Sequence, residues 1–261
     1  EGIVRQVRRH NPHAEIVIAY FVNPNMRDML QAGKTPIPIA AHAKVAKHYG
    51  LPEIHLAREV AQRISDGSLT WEQFGGTHPA PFGNAIAAKM IEQLLEDAWS
   101  KPLPTDAQRK PYATPDPIDP LNYERGRFVD AKHVELVDGW SRDVPKWKQI
   151  KGACRSRFAD LTLTCADRPG ATLKVTFTGT AVGAYLLAGP DAGVLEVDID
   201  GTKRDNVDTY HRFSKGLHYP RTVMFATDLE PGDHTLTLRV SKERHDASLG
   251  TAARIVRFVA N

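Results

Sequence analysis

The chain has 261 residues, which is enough for two domains that each bury a hydrophobic core. Its formal net charge is only +3, and basic and acidic residues are mixed along its whole length, so we expect no nucleic-acid partner. No apolar run approaches the roughly 20 residues of a membrane-spanning helix, so we expect no membrane partner either. Two cysteines, Cys154 and Cys165, are compatible with one disulfide or with two free thiols.

The first ten residues have a helical pattern, with Ile3, Val4 and Val7 on one side. The sequence Asn-Pro at positions 11 and 12 ends this helix. The other side carries a small cluster of basic residues, which we interpret as a solvated helix face: Arg5, Arg8 and Arg9.

An alternation of strand and helix patterns follows. The run 15–22, EIVIAYFV, is apolar and rich in β-branched residues, which is typical of a parallel strand buried on both faces. A predicted loop at 23–25 leads to a helix over 38–48, a short strand over 51–56 and a helix over 58–64. This order predicts a parallel sheet with right-handed crossovers, in which ligands bind beyond the carboxyl ends of the strands.

The next helix is predicted to end near residue 99. Its apolar residues recur every four positions in two adjacent rows. We interpret both rows as core that packs against the sheet: Phe82, Ile86, Met90, Leu94 and Ala98, with Ile91, Leu95 and Trp99 beside them.

Residues 101–123 differ in composition, because recurrent prolines favour an extended, semi-rigid connector there. Beyond them the hydrophobic period becomes two, and turns such as Asp200-Gly201 separate eight predicted strands: 133–137, 161–165, 172–177, 181–187, 194–199, 222–226, 235–240 and 253–259. We therefore predict an α/β domain over 1–100, a linker over 101–123 and an antiparallel β-sandwich or jelly roll over 124–261.

Three blocks of the α/β part resemble the C-terminal half of the SGNH hydrolases, the GDSL esterase and lipase superfamily. They are the strand that ends in Tyr20-Phe21-Val22-Asn23-Pro24, the helix–strand unit over 45–56, and the block Gly76-Thr77-His78-Pro79-Ala80-Pro81-Phe82-Gly83-Asn84. The resemblance covers about residues 1–100 and implies part of a three-layer α/β/α sandwich. It also implies acyl transfer by a serine nucleophile, with His78 as the general base. We expect neither a metal nor another cofactor.

The family's Gly-Asp-Ser nucleophile motif is absent from this chain. We therefore expect the serine on a partner segment, the N-terminal portion of the same hydrolase domain. The family also carries Asp three residues before the histidine, where this chain has Gly75. Glu72 is the predicted replacement and Asp66 a second candidate, and a Ser–His dyad oriented by a backbone carbonyl is equally compatible with the sequence.

Phe21 and Asn23 follow the first strand, at the sheet edge where ligands bind, and we predict that they contact the substrate. For Asn23, turn formation with the following proline explains the residue equally well. A metal site at His42, His48 and His55 is not predicted. His42 and His48 are six residues apart and therefore lie on different faces of a helix.

Residues 182–201 and 229–236 resemble the sandwich modules appended to carbohydrate-active esterases and glycosidases, some of which bind glycans by aromatic stacking. Five side chains are candidates for that role, although aromatic residues of a small sandwich also serve as core: Trp140, Trp147, Tyr210, His211 and Tyr219. The two resemblances together predict an esterase that removes acetyl or other acyl groups from a carbohydrate, and such a substrate implies a secreted or periplasmic protein. The alternative is a non-catalytic glycan-binding or assembly subunit.

Overall fold

The computed structural model describes all residues from 1 to 261. The chain forms two compact units, residues 1–124 and residues 125–261, and each has its own hydrophobic core. We call them the α/β unit and the sandwich unit. None of the helices has the length and apolar character that a bilayer crossing requires.

The α/β unit contains six helices and two short strands. In chain order they are α1 (Gly2–His10), β1 (Ile18–Ala19), α2 (Pro24–Gln31), α3 (Ile37–Tyr49), β2 (Glu53–Ile54), α4 (Leu56–Ser65), α5 (Trp71–Phe74) and α6 (Pro81–Trp99). The two strands are parallel, with Ile18 opposite Glu53 and Ala19 opposite Ile54. Helix α2 packs on α4, and α6 packs on α4, α5 and β2. The predicted parallel pairing is therefore confirmed, and α2 is an additional helix that the sequence patterns did not predict.

The core of the α/β unit lies where β1 ends. Tyr20 and Val22 pack with Leu56 and Val60 of α4 and with Phe74 of α5. Burying an apolar side chain of this size stabilises a fold by about 1.5–3 kcal/mol. This cluster therefore fixes the path of the chain beyond β1, where two of the predicted site residues stand.

The second face of β1 is open. Val17 is 44% exposed and Phe21 is 51% exposed, whereas Tyr20 and Val22 are buried. The prediction of a strand buried on both faces is therefore wrong for this chain. The apolar pattern is present, but β1 pairs only with β2, and no layer of the α/β unit covers the other face.

Helix α6 differs from its prediction in the same way. Of its 19 residues, only Gly83 and Ile86 are buried. Four large apolar side chains that we interpreted as core are exposed: Phe82, Ile91, Leu95 and Trp99. The periodicity correctly identifies which residues share a face of the helix, but it cannot say whether another element covers that face.

Of the three arginines of α1, only Arg9 is exposed, so the interpretation as a solvated face is wrong for Arg5 and Arg8. Arg8 is 4% exposed and donates a hydrogen bond of 2.5 Å to the backbone carbonyl of Ala113. Arg5 donates one of 2.6 Å to the carbonyl of Pro115. The prolines at 111, 115 and 117 hold this stretch out of helices and sheets, which leaves its carbonyl groups for side-chain donors.

The sandwich unit consists of two antiparallel sheets around one core. Its strands are β3 (Arg127–Phe128), β4 (Val134–Asp138), β5 (Ser141–Asp143), β6 (Leu163–Ala166), β7 (Thr172–Gly179), β8 (Val182–Ala188), β9 (Val194–Ile199), β10 (Thr202–Lys203), β11 (Val207–Asp208), β12 (Tyr219–Ala226), β13 (Gly232–Val240) and β14 (Ala253–Ala260). A short helix, α7 (Ser156–Ala159), precedes β6. One sheet has the order β10-β9-β13-β7-β4, with β11 also paired to β9. The other has the order β12-β8-β14-β6-β5, with β3 also paired to β14.

All eight predicted strands of the sandwich are present, within a few residues of their predicted bounds. In β7, for example, Leu173, Val175 and Phe177 are buried and the residues between them are exposed. The predicted turn at Asp200-Gly201 is also confirmed, because both residues have positive φ, 53° and 82°, and join β9 to β10. This is the backbone conformation that a two-residue type I′ hairpin requires.

The two cysteines are free thiols that lie in one small cluster of the sandwich unit. Burial raises the pKa of the Cys165 thiol to about 11, and the Arg254 guanidinium only partly offsets this effect. Cys165 is therefore a packing residue with little thiolate at neutral pH.

Candidate active site

The carboxyl end of β1 presents two of the predicted site residues. Phe21 is half exposed between buried Tyr20 and buried Val22, so its ring is open to solvent at this edge. The side-chain oxygen of Asn23 accepts a hydrogen bond of 3.0 Å from the backbone nitrogen of Met26. Asn23 is thus the N-cap of α2, and the proline after it occupies the first helical position. The predicted loop at 23–25 is instead a helix start, and the cap leaves the amide N–H groups of Asn23 for other contacts.

His78 stands in a short turn between α5 and α6. Gly75 ends α5 in the left-handed conformation, with φ of 98°. The backbone nitrogen of Ala80 donates a hydrogen bond of 3.0 Å to the carbonyl of Phe74, which closes the turn, and α6 begins at Pro81. His78 therefore lies in a five-residue turn, 75–79, whose two flanking residues are joined by this hydrogen bond.

Gly83, within the same block as His78, has a packing role. A Cβ atom at Gly83 would lie 2.2 Å from the carbonyl oxygen of Phe74 and 2.9 Å from its ring. The first turn of α6 therefore packs directly on the end of α5, at a distance that only glycine allows. This contact sets the separation of the two helices on either side of His78.

The carboxylates proposed to orient His78 do not contact it in this chain. His78 and Glu72 are both exposed, and no hydrogen bond joins them. Asp66 accepts hydrogen bonds from the backbone nitrogen of Ser68, at 3.0 Å, and from its hydroxyl, at 2.6 Å. These bonds lower the pKa of Asp66. Asp66 is thus held in a local turn, and His78 has no carboxylate partner among the residues of this chain.

A cluster that the sequence reasoning missed lies at the same edge of the two-stranded sheet. The Tyr20 hydroxyl donates a hydrogen bond to the carboxylate of Glu53, and the Nε2 atom of His55 is 4.0 Å from the same carboxylate oxygen. The Tyr20 and His55 rings are 4.8 Å apart. Burial, followed by the hydrogen bond to Glu53, raises the pKa of Tyr20. Part of the signal is in the sequence, because Tyr20 directly follows β1 and His55 directly follows β2, but their contact with Glu53 depends on the pairing of the two strands.

The three histidines that were considered for a metal site, His42, His48 and His55, each have different partners. His42 bonds to the carbonyl of Pro38 at 2.6 Å, one turn earlier in α3, and His48 bonds to the carbonyl of Asp116 at 2.8 Å. His55 belongs to the cluster with Tyr20. The structure contains no group of three or more His, Cys, Asp or Glu side chains that could hold a metal ion.

The two tryptophans proposed as sugar platforms are largely occupied by packing. Trp140 is buried in the main core of the sandwich unit. The Trp147 indole N–H donates to the carbonyl of Ala159 at 2.9 Å, and its ring meets the His218 ring edge to face, with 4.8 Å between centroids. Trp140 is therefore core, and Trp147 is half buried.

The remaining three candidates, Tyr210, His211 and Tyr219, all lie on the segment 209–219, beside His245 of the segment 241–250. Tyr210 stacks on His245 and His211 stacks on Tyr219, each with ring centroids 4.6 Å apart. Phe213 lies beside the second pair and is 49% exposed. One face of each tyrosine ring is thus covered by an imidazole, and the structure brings His211 and Tyr219 together.

Comparison with known proteins gives a match in structure rather than in sequence. No family model matches the chain, and no curated protein matches its sequence. Two crystal structures of a two-domain esterase active on acetylated mannans, one of them with mannopentaose, superimpose with a TM-score of 0.71. They are 17% and 18% identical to this chain and cover 99% of it. The chain spans 66% of the length of that esterase, and the likeness establishes a shared fold across both units.

Proposed function

We propose that the chain belongs to a serine esterase of SGNH type that removes acetyl or other acyl groups from a carbohydrate. The observation that carries the proposal is the fold that it shares with an esterase described as active on acetylated mannans. The exposed histidine between α5 and α6 supports the same reaction, because a general base must reach the nucleophile. On this proposal the α/β unit is one part of a three-layer α/β/α sandwich.

The proposed reaction is acyl transfer in two steps. The serine hydroxyl attacks the acetyl carbonyl while His78 accepts its proton, and the tetrahedral intermediate then expels the sugar oxygen, which takes the proton from His78. Water attacks the acyl-serine in the same way, and acetate leaves. Phe21 and the free amide N–H groups of Asn23 are proposed to contact the substrate beside β1.

The serine is proposed to lie on the N-terminal portion of the same hydrolase domain, packed beside β1. The open edge of β1 supports this partner, because proteins normally cover or protect such an edge. The exposed side chains of Val17 and Phe21 lie next to it. On α6, Ile91 and Trp99 are 46% and 75% exposed, and apolar surface of this extent commonly marks an interface.

Glu72 is proposed as the acid that orients His78, and the alternative is a dyad in which a backbone carbonyl does so. The exposed position of Glu72, in the four-residue helix before the turn, is compatible with such a role once the serine portion covers the site. A dyad is supported by the lack of any hydrogen bond between the two side chains in this chain.

The test is the replacement of His78 by Ala in the complete protein, with hydrolysis of acetylated mannan and of a small aryl acetate as readouts. We expect kcat to fall by roughly 10³-fold or more, because the general base is lost. His42→Ala is the matched control, since His42 is an exposed histidine of α3 with only a local hydrogen bond. An unchanged kcat for His78→Ala would remove His78 from the reaction.

The alternative function is a non-catalytic glycan-binding or assembly subunit. One observation favours it: His78 has no carboxylate partner, and the Gly75 turn leaves no space for one at the position that the family uses. A complete protein that binds mannan but hydrolyses neither ester would support this alternative.

A further inference from the structure

A cleft of about 620 Å³ opens on the sandwich unit, and none of the residues of the stacked Tyr210–His245 and His211–Tyr219 pairs lines it. It is lined by residues of β3, of the segment that follows β3, and of β7 and β13. We propose that this cleft is a glycan-binding site that takes a neutral sugar unit of a polysaccharide, with one aromatic wall and a ring of hydrogen-bonding groups: Phe128, Arg127, Asp130, His133, Thr178 and Asp233. The choice of ligand rests on the proposed carbohydrate substrate, whereas all the residues that line the cleft belong to the sandwich unit.

The aromatic wall is the ring of Phe128. It is 67% exposed, although the residue is held in a strand by pairing of Phe128 with Val259 and of Arg127 with Ala260. The ring is therefore presented to solvent by a fixed backbone instead of being buried in the core. An exposed aromatic face suits the apolar C–H face of a sugar ring and loses little conformational entropy on binding.

Three of the polar side chains in the lining, Arg127, His133 and Asp233, already form hydrogen bonds within the protein. The Thr178 hydroxyl donates to Asp233 at 2.5 Å, and the Arg127 guanidinium donates to the backbone carbonyl of Thr178. The Nδ1 atom of His133 is 3.2 Å from the Thr176 hydroxyl. Each of these side chains keeps a further polar atom without a protein partner: the second carboxylate oxygen of Asp233, other N–H groups of Arg127 and Nε2 of His133. These atoms are available to sugar hydroxyl groups.

His234, which also lines the cleft, is held by contacts within the protein. His234 bonds through Nδ1 to Asp200 at 2.6 Å and through Nε2 to the carbonyl of Glu230 at 2.8 Å. Its ring centroid lies 5.5 Å from that of Phe177, which belongs to the core. Both nitrogens of this imidazole therefore already have hydrogen-bond partners within the protein. His234 contributes to the wall of the cleft but has no free ring nitrogen for a ligand.

The balance of charge indicates a neutral ligand. The carboxylates of Asp130 and Asp233 and the guanidinium of Arg127 line the cleft, and the Lys132 ammonium lies 3.8 Å from the Asp130 carboxylate, so the charges nearly cancel. A hydrogen bond from the backbone nitrogen of Lys132 lowers the pKa of Asp130, so this side chain stays anionic. An anionic sugar would meet both carboxylates, whereas a neutral one uses donors and acceptors alike.

The experiment is native affinity electrophoresis of the full 261-residue chain in gels that contain soluble neutral mannan, with polygalacturonate gels for comparison. We expect retention by mannan, and we expect Phe128→Ala to weaken it roughly tenfold, the loss typical of a central aromatic contact. Phe128→Tyr keeps the aromatic face and should retain binding. Phe213→Ala is the matched control, because Phe213 is another exposed phenylalanine of the sandwich unit, at 49%, and does not line the cleft.

Asp233→Asn is a second variant that keeps the shape of the side chain, and it should also weaken retention. The proposal is overturned if the wild-type chain is not retained by mannan, if Phe128→Ala and Phe213→Ala behave alike, or if only polygalacturonate retains the chain. Aryl acetate hydrolysis by the complete protein is measured in parallel. If His78→Ala abolishes aryl acetate hydrolysis but leaves retention by mannan unchanged, glycan binding in the cleft is independent of the proposed esterase reaction. Each proposal therefore has its own measurement, and the failure of one does not affect the measurement of the other.

Discussion

A Cβ atom at Gly75 would lie 2.0 Å from the backbone nitrogen of Ala80 and 2.5 Å from the Ala80 Cβ atom. Gly75 also has φ of 98°, a conformation that side-chain-bearing residues rarely adopt. The position three residues before His78 therefore has no space for the aspartate that the SGNH family carries there. The close turn that fixes His78 and the missing carboxylate are two consequences of the same backbone approach.

Gly75→Ala should destabilise the α/β unit much more than Gly76→Ala. Both glycines have positive φ, 98° and 85°, so both substitutions introduce backbone strain. Only Gly75 has neighbours, because nothing lies within 4 Å of a Cβ atom at Gly76. We expect Gly75→Ala to lower the free energy of unfolding by roughly 1–3 kcal/mol more than Gly76→Ala does. Urea unfolding followed by the helical circular dichroism signal measures it, and equal losses would contradict the close approach.

Glu72→Gln distinguishes the triad from the dyad in the complete protein. If Glu72 orients His78, kcat should fall by roughly 10²-fold or more, with little change in stability because the side chain is exposed. Glu59→Gln is a suitable control, since Glu59 pairs with Arg63 on α4. A kcat that stays within about threefold of the wild-type value would leave the backbone-carbonyl dyad as the mechanism.

Asp191→Ala should strongly destabilise the sandwich unit. Arg254 is largely buried and forms two hydrogen bonds with Asp191, of 2.8 and 2.7 Å, which tie the turn after β8 to β14. Removing one partner of a buried pair typically costs about 3–5 kcal/mol, because the other charge stays buried. Asp138→Ala, which breaks an exposed pair with Arg168, should cost less than about 1 kcal/mol. Urea midpoints compare the two variants, and similar losses would contradict the prediction.

The Asp191 carboxylate also predicts a pH dependence. Burial alone would raise its pKa, but the hydrogen bonds and charge of Arg254 outweigh burial and lower it below the ordinary value of 3.8. The stabilisation is therefore present above the unfolded pKa and is lost as the pH falls through the folded pKa. The stability difference between wild type and Asp191→Ala should shrink accordingly in acid.

The Asp200–His234 pair should contribute stability over a defined pH range. The hydrogen bond from His234 to Asp200, together with the one to the Glu230 carbonyl, raises the pKa of His234 above 6.5. The hydrogen bond from His234 also lowers the pKa of Asp200 below 3.8. The contribution of His234 is complete below its unfolded pKa and is lost as the pH rises through the folded pKa. The contribution of Asp200 is lost only as the pH falls through its own lowered pKa.

Asp200→Asn tests this range, because asparagine also tolerates the positive φ of the turn. Relative to wild type, the variant should lose more stability at about pH 5.5 than at about pH 9. His234→Gln should remove the pH dependence of that loss. A difference that is constant from acid to alkaline pH would show that the pair is not charged in the folded protein.

The period-two pattern predicted the sandwich well because each strand has one face on a shared core. The alternation in β7 and the Asp-Gly turn after β9 are local properties of the sequence that the tertiary structure keeps. Neither prediction depends on which strands are neighbours. The pattern did not predict the order of the strands in the two sheets.

The sequence also predicted the turn that contains His78, but it did not predict which side chains contact the imidazole. The sequence places Gly83 five residues after His78, and the structure explains this glycine by its contact with Phe74. The cluster of Tyr20, Glu53 and His55 was missed because its members are up to 35 positions apart in the sequence and meet only through strand pairing.

The sequence by itself determined the two kinds of secondary structure, the change of period beyond the proline-rich stretch, and the turn that carries His78. These follow from backbone preferences and side-chain periodicity, which act over a few residues. Only the tertiary structure decided what each apolar or charged face meets: Arg8 is buried against backbone carbonyls, whereas Phe21 and Trp99 are exposed. Burial depends on which distant element covers a face, and no local pattern contains that information.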